Sequence, residues 1–219
     1  MESEVNDLKE VLEEQMRKRY SPLAYRIFEK AKVAVAGLGG LGSNVAMALA
    51  RVGIGHILLV DFDLVEPSNL NRQNYYIEDI GRKKTEALLE KLNRINPFID
   101  YRCLNLKITK ENALSVFENY DVVVEAFDDP ESKVALINRL LEKGKLPVVS
   151  ASGISGMHNP NSIKSRKAFD RLYIVGDGIH EAAGNEGLMA PRVMVAAGHQ
   201  ATVTCQILLN KVELGEENA

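Results

Sequence analysis

Cysteine is scarce in these 219 residues: Cys103 and Cys205 are the only two, and they lie far apart. With no Cys-x-x-Cys pair, neither a disulfide scaffold nor a thiolate-bound zinc is expected. Long apolar runs are missing as well. No window approaches the roughly 18 continuous apolar residues of a membrane-spanning helix, and the charged opening stretch, Met1 to Arg19, lacks the apolar core of a signal peptide. Nor does one charge dominate. The 27 Lys and Arg against 30 Asp and Glu leave a net −3, which gives no electrostatic case for nucleic acid or a membrane surface as the main partner. Internal repeats and low-complexity tracts are absent. What remains is a reduced, cytoplasmic protein, 46% hydrophobic, able to bury a sizeable core as one domain over residues 1–219.

The pattern along the chain sets the fold class. Residues 1–30 read as a helical N-terminal extension, with Leu8, Val11, Leu12 and Met16 at helical spacing and Pro22 dividing it in two. After that, apolar strands alternate with helices. The strands are Val33–Ala36, Ile57–Val60, Ile99–Leu104, Asp121–Ala126 and Leu146–Ser150. The helices run Leu41–Val52, Lys83–Arg94, from a Thr109 cap to Glu118, and Asp129–Lys143. That alternation predicts an α/β protein: a Rossmann-like, mostly parallel sheet with helices on both faces, binding its ligand at the carboxyl ends of the strands. Beyond Ser150 come two short strand candidates, Ser162–Arg166 and Leu172–Val175, and a flexible glycine-rich loop from Gly176 to Gly187. A long helix then opens at Pro191.

Two constellations carry chemistry. Gly37-Leu38-Gly39-Gly40-Leu41-Gly42 sits between a strand and a helix, where glycines let the backbone turn tightly and approach a nucleotide. Asp61 ends the next strand, placed to accept ribose hydroxyls. This element is shared by NAD and ATP sites. The second constellation separates them. About twenty residues rich in Asn, Arg and Lys follow Asp61, and the separated cations Arg72 and Lys84 suit a triphosphate. Asp128 and Asp129 follow the fourth strand at the same edge. Asp129 precedes Pro130 and reads as a helix cap, which leaves Asp128 as the Mg²⁺ ligand. His56 and His199 read as packing or surface residues, Cys205 as core, and Lys164, Arg166 and Lys167 as a solvated strand end.

The run from Gly37 to Gly42, with Asp61-Phe62-Asp63, Ser68-Asn69-Leu70-Asn71-Arg72-Gln73, Lys84, Asn96-Pro97, Asp128 and Met189-Ala190-Pro191, resembles the ThiF/MoeB/ubiquitin-activating-enzyme superfamily. The resemblance covers about residues 17–212, and the shortness and lack of zinc cysteines are similar to the compact ThiF type. It implies ATP-dependent adenylation of the C-terminal Gly carboxylate of a small ubiquitin-like sulfur carrier ending in Gly-Gly. It also implies a homodimer with the N-terminal helices near the partner. Residue by residue, Gly37, Gly39, Gly40 and Gly42 would approach ATP, Asp61 and Asp63 would serve the ribose end, and Asn69 and Arg72 would contact phosphates. Lys84 would stabilise the transition state and Asp128 would hold Mg²⁺. The sequence departs from the family in placing Pro22 where an arginine often reaches the partner's ATP; Arg17, Arg19 and Arg26 are the alternatives. It also lacks cysteine between Gly176 and Gly187, so no covalent thiol step is expected. Two other readings stand beside adenylation. An NAD-dependent oxidoreductase leaves the Arg72–Lys84 segment unexplained. A nucleotide-binding module that is idle, or aimed at another carrier, a peptide or a tRNA base, keeps the same site.

Overall fold

The computed structural model describes residues 2–180 and 187–211, with side chains from Asp7 onward. The elements run α1 (Glu2–Arg19), α2 (Pro22–Lys30), β1 (Lys32–Ala36), α3 (Gly40–Val52), β2 (His56–Asp61), α4 (Lys84–Ile95) and β3 (Asp100–Asn105). They continue with α5 (Ala113–Phe117), β4 (Val122–Glu125), α6 (Pro130–Lys143), β5 (Val148–Ala151), β6 (Lys164–Phe169), β7 (Leu172–Gly176) and α7 (Ala190–Leu208).

The strands form one seven-stranded sheet in the order β3-β2-β1-β4-β5-β7-β6. Every pairing is parallel except β6 with β7. Helices cover both faces: α3, α4 and α7 pack one apolar cluster, α5 and α6 the other. The chain moves outward from β1 to β3, then returns to start β4 on the other side of β1. Strand order therefore reverses between β1 and β4, and their carboxyl ends flank a crevice, the place where open α/β sheets hold ligands.

The buried strands are built from short β-branched and small residues: Val33, Val35, Val122, Val123 and Val124 are wholly buried. Pro22 does not break a helix so much as start one. It occupies the first turn of α2, and the Ser21 hydroxyl accepts the Ala24 amide at 3.2 Å as the cap. One expected boundary moves. Thr109 caps no helix, because Asn112 Oδ1 accepts its amide at 2.8 Å and turns the chain there, so α5 begins only at Ala113. The first hairpin strand also lies later than expected, since Pro160–Ser162 forms a 3₁₀ turn before it. His199 donates or accepts at Ser165 Oγ, 2.9 Å away, and His56 pairs with Asp100 at 3.0 Å. No helix among the described residues is long and apolar enough to cross a membrane.

Candidate functional site

The crevice is a cavity of about 270 Å³ at the carboxyl ends of β1, β2, β4 and β5. Its floor is the turn from β1 into α3. Gly37 adopts φ +92°, and a Cβ there would lie 2.7 Å from the Ala126 carbonyl oxygen. Only glycine fits that backbone and that approach. Gly42 serves a different purpose: a Cβ would fall 1.8 Å from Gly37 O, so it brings α3 against β1 and lies outside the cavity lining.

Asp61 holds this turn in shape. Its Oδ2 accepts the Leu38 amide at 2.7 Å and its Oδ1 accepts the Asp63 amide at 2.8 Å. Burial raises its carboxyl above the usual range, while the nearby Lys84 ammonium and the two amides oppose that rise. The buried Tyr75 hydroxyl donates to Leu38 O at 2.9 Å, and burial keeps it protonated far into the alkaline range. Both carboxylate oxygens of Asp61 retain lone pairs for hydroxyl groups on the cavity side.

Cations and carboxylates are distributed unevenly around the cavity. Lys84, 6% exposed, is neutralised by Asp63 at 2.7 Å, and Lys133 is ion-paired with the fully buried Glu125. Arg72 and Lys107 form no ion pair among the described residues, although Lys107 is near enough to Asp129 to lower its carboxyl. Arg72 Nη1 is bonded to Ser68 O at 3.2 Å and Asn71 Oδ1 at 2.8 Å, and Lys107 lies 5.6 Å over the Phe62 ring. Arg72 Nε and Gln73 Oε1 are buried without any hydrogen-bond partner. The orphaned donor, Arg72 Nε, beside the cations of Arg72 and Lys107, fits an anionic ligand with oxygen acceptors, and the orphaned acceptor, Gln73 Oε1, fits a hydroxyl or amino donor on the same ligand.

The acid pair after β4 divides as its surroundings dictate. Asp129 caps α6, accepting the Ser132 amide at 2.8 Å, and the Ser132 side chain and amide hold its carboxyl below the usual range. Asp128 is exposed and, among the described residues, has no hydrogen bond or ion pair. An unpaired carboxylate beside phosphate-compatible cations is a donor set that suits Mg²⁺, which takes one or two carboxylates together with phosphate oxygens.

Of the expected site residues, Gly37, Gly39, Gly40, Asp61, Asp63, Arg72, Lys84 and Asp128 all line this one cavity. Gly42 and Asn69 do not. The Asn69 side chain accepts the Glu66 amide at 3.0 Å and closes a 3₁₀ turn instead. Of Arg17, Arg19 and Arg26, the alternatives for reaching a partner's ATP, Arg17 pairs with Glu13 at 3.0 Å and stacks 4.9 Å over Tyr25. Sequence reasoning passed over Phe62, Lys107, Lys133 and the segment Ala151–Ile154. Lys107 had one available signal, its place just past the end of β3 at the ligand edge. The cysteines are elsewhere. Burial pushes both thiols up to about 11, and neither lines the cavity.

The loop after β7 is held firmly where it is described. Asp177 accepts the amides of Ile179 and His180 at 2.9 and 3.0 Å, and pairs with Arg192 of α7 at 2.5 Å. The expectation of a flexible loop therefore does not hold for residues 176–180; residues 181–186 lie outside the described residues.

Residues 12–219 match the ThiF family. The chain belongs to the ThiF family. Among curated relatives, it is 32% identical over 182 residues to the adenylyltransferase and sulfurtransferase UBA4 of Yarrowia lipolytica, covering 81% of this chain and 46% of that protein. It is 35% identical over 147 residues to the tRNA threonylcarbamoyladenosine dehydratase of Escherichia coli K12, covering 66% of this chain and 54% of that protein. The chain thus spans about half the length of the curated relatives it matches. Among solved structures, E. coli TcdA in complex with ATP superposes with a TM-score of 0.77 at 25% identity, covering 90% of this chain and 93% of that one. TcdA with AMP gives 0.81 at 24%, a likeness that shows the fold. E. coli MccB with AMPCPP and MccA gives 0.70 at 25%, covering 88% of this chain and 60% of that one. The Rossmann-like, mostly parallel sheet predicted from the strand and helix pattern is the one found.

Proposed function

We propose that this chain is an ATP-dependent adenylyltransferase acting on the C-terminal Gly carboxylate of a small ubiquitin-like, ThiS-type sulfur carrier in thiamine thiazole synthesis. The observation that carries it is the convergence of Arg72, Lys84 and Asp128 on the glycine turn in one cavity that includes no thiol. In the proposed reaction a carrier carboxylate oxygen forms a bond to the α-phosphorus of ATP, and the bond from that phosphorus to the bridging oxygen breaks. Acyl-adenylate and pyrophosphate are the products. The attacking carboxylate is already ionised, so the chain needs no base and no nucleophile of its own. Its work is to position and to stabilise charge.

Within that reading, the Gly37–Gly40 turn lets the nucleotide approach the backbone and Asp61 receives the ribose. Arg72 and Lys84 face the phosphates, and the unpartnered Arg72 Nε gives a donor ready for an oxygen. Asp128 holds Mg²⁺, whose chemistry there is neutralisation of phosphate charge. The same reading makes the enzyme a cytoplasmic homodimer without zinc. A second target, a modified tRNA base, is favoured by the 35% identity to the E. coli dehydratase. ATP–pyrophosphate exchange with a purified Gly-Gly-tailed ThiS-like carrier, compared with unmodified and threonylcarbamoyl-bearing tRNA, tests both. Exchange that requires the carrier supports the first reading. Turnover only with tRNA replaces it with the second.

A further inference from the structure

Among the described residues Asp128 carries no interaction of its own, yet a ligand carboxylate has to be held within about 0.5 Å of its working position to be useful. Something else must fix the segment 126–128. The Ala126 amide extends the pairing of β4 with β1 by donating to Ala36 O at 2.8 Å. The next amide, that of Phe127, donates at 2.7 Å to Oε1 of Glu125, a side chain with no solvent exposure. The other oxygen of Glu125 accepts the Ser150 hydroxyl of β5 at 2.6 Å and is ion-paired with Lys133, in the first turn of α6. The Glu125 backbone is fixed too, because buried Gln200 of α7 donates to its carbonyl at 3.1 Å and to Val149 O at 3.2 Å.

We propose that Glu125, Lys133 and Ser150 are positioning residues for Asp128, a carboxylate-centred knot that locks the turn carrying it between β4, β5 and α6. The proposal rests on the reading of Asp128 as the Mg²⁺ carboxylate. Stability is a poor reason to keep such a group: a buried ion pair is generally no more stabilising than well-packed apolar side chains of the same volume. A carboxylate does something here that an apolar residue cannot. It accepts the Phe127 amide directly beside Asp128 and ties that amide to the first turn of α6, whose cap is Asp129. The knot therefore sets the turn from both ends, with Lys133, itself on the cavity lining, as the ion-pair partner of Glu125.

The test compares Glu125→Leu/Lys133→Met, which removes the acceptor and the charge together, with Glu125→Gln/Lys133→Met, which keeps an acceptor for Phe127. ATP binding is measured by calorimetry in EDTA and in Mg²⁺, together with ATP–pyrophosphate exchange against Mg²⁺ concentration. The expected result for the Leu/Met pair is a rise of about 10-fold in the Mg²⁺ needed for half-maximal exchange, the size typical of lost outer-shell support. Mg²⁺-dependent tightening of ATP should weaken in parallel, with ATP binding in EDTA equal in the two double variants, which both lack the cavity-lining Lys133, and the Gln/Met pair should recover most of the lost Mg²⁺ dependence. Wild-type Mg²⁺ dependence in the Leu/Met pair overturns the proposal. So does an ATP affinity in EDTA lower in the Leu/Met than in the Gln/Met pair, which marks general loosening. Should the Leu/Met pair not fold, Ser150→Ala carries the test, with a shift of roughly 2- to 3-fold in the same direction expected and no shift overturning it. Asp128→Asn is the control that separates the two levels: if it leaves Mg²⁺ dependence unchanged, the reading of Asp128 falls and the proposal with it. If Asp128→Asn shifts the dependence and the Glu125 variants do not, the proposal alone falls.

Discussion

The cavity has two walls held in different ways. Along the first, from Gly37 to Lys84, side chains fix backbone close by: Asp61 on Leu38 and Asp63, Tyr75 on Leu38, and Asn44 Nδ2 on Gly40 O at 2.6 Å. Along the second, from Ala151 to Val193, backbone zips to backbone across distant segments. Ser152 donates to Val175 O at 2.8 Å, Asp177 to Gly153 O at 3.0 Å, and Ser155 to His180 O at 3.0 Å. One buried side chain gathers that wall. Arg192, 4% exposed, bonds His158 O, Asn159 O and Ser162 Oγ besides Asp177. The first wall is a set of independent local anchors, so it should fail piecemeal. The second is gathered by one side chain, Arg192, and should fail as a unit when that side chain goes.

The largest effect expected is therefore on the second wall. Arg192→Met removes the buried cation paired with Asp177 and the donor shared by His158 O, Asn159 O and Ser162 Oγ, and loss of about 3–5 kcal/mol in denaturant unfolding is expected. Acid titration gives an independent measure. Burial works to raise the Asp177 carboxyl, but the His180 and Ile179 amides and the His180 ring hold it well below the usual carboxylate range. A carboxyl lowered in the folded state contributes stability above its unfolded value of about 4, and that stability is lost as pH falls towards the folded value. Asp177→Asn should flatten the stability–pH curve below about pH 4; an unchanged acid limb would show that this anion does not hold the loop.

On the first wall, Gly42→Ala places a methyl group on Gly37 O, a backbone atom that cannot step aside. A cost of about 3 kcal/mol in unfolding, with loss of ATP binding, is expected. Arg72→Lys sharpens the contrast, since it should leave stability within about 0.5 kcal/mol. It nonetheless lowers ATP–pyrophosphate exchange by about 100-fold, because an ammonium cannot reproduce the planar fork or the Nε donor. Full exchange in Arg72→Lys would mean that charge alone suffices at that position.

The same contrast explains what could be read in advance. The glycine turn, Asp61 and Asp128 could be placed on the cavity because each follows the carboxyl end of a strand directly, and Arg72 and Lys84 because a long cation-bearing segment follows β2; all of them line the cavity. The second wall has no such signature: Gly153, Ile154 and Leu188 reach the cavity through pairing of β5 with β7 and through the Arg192 tie, contacts 15 or more residues apart. Glu125 and Lys133 were missed because a charged residue closing a valine strand reads as a surface terminus, and only the packing of α6 and α7 buries it. Asn69 erred the other way. Its motif pointed at phosphate, and the structure uses its side chain to cap the turn that presents Arg72.

The smallest effect tests the finest division, between two adjacent carboxylates of which one caps and the other is unpartnered. Asp129→Ala should lower Tm by about 2–4 °C, the loss of one helix cap in a chain of this size, with exchange kept within about 3-fold. Asp128→Ala should do the opposite, leaving Tm nearly unchanged and reducing exchange by about 100-fold. The asymmetry follows from where each side chain's hydrogen bonds go. Asp129 spends its acceptor on the Ser132 amide inside the protein, so its removal is felt by α6. Asp128 has no partner among the described residues, so the folded state loses nothing when it goes and only a bound cation would register the change. If thermal melts and exchange assays returned the reverse pattern, the metal role would pass to Asp129, and the knot at Glu125 would be fixing a turn whose exposed carboxylate has no ligand to hold.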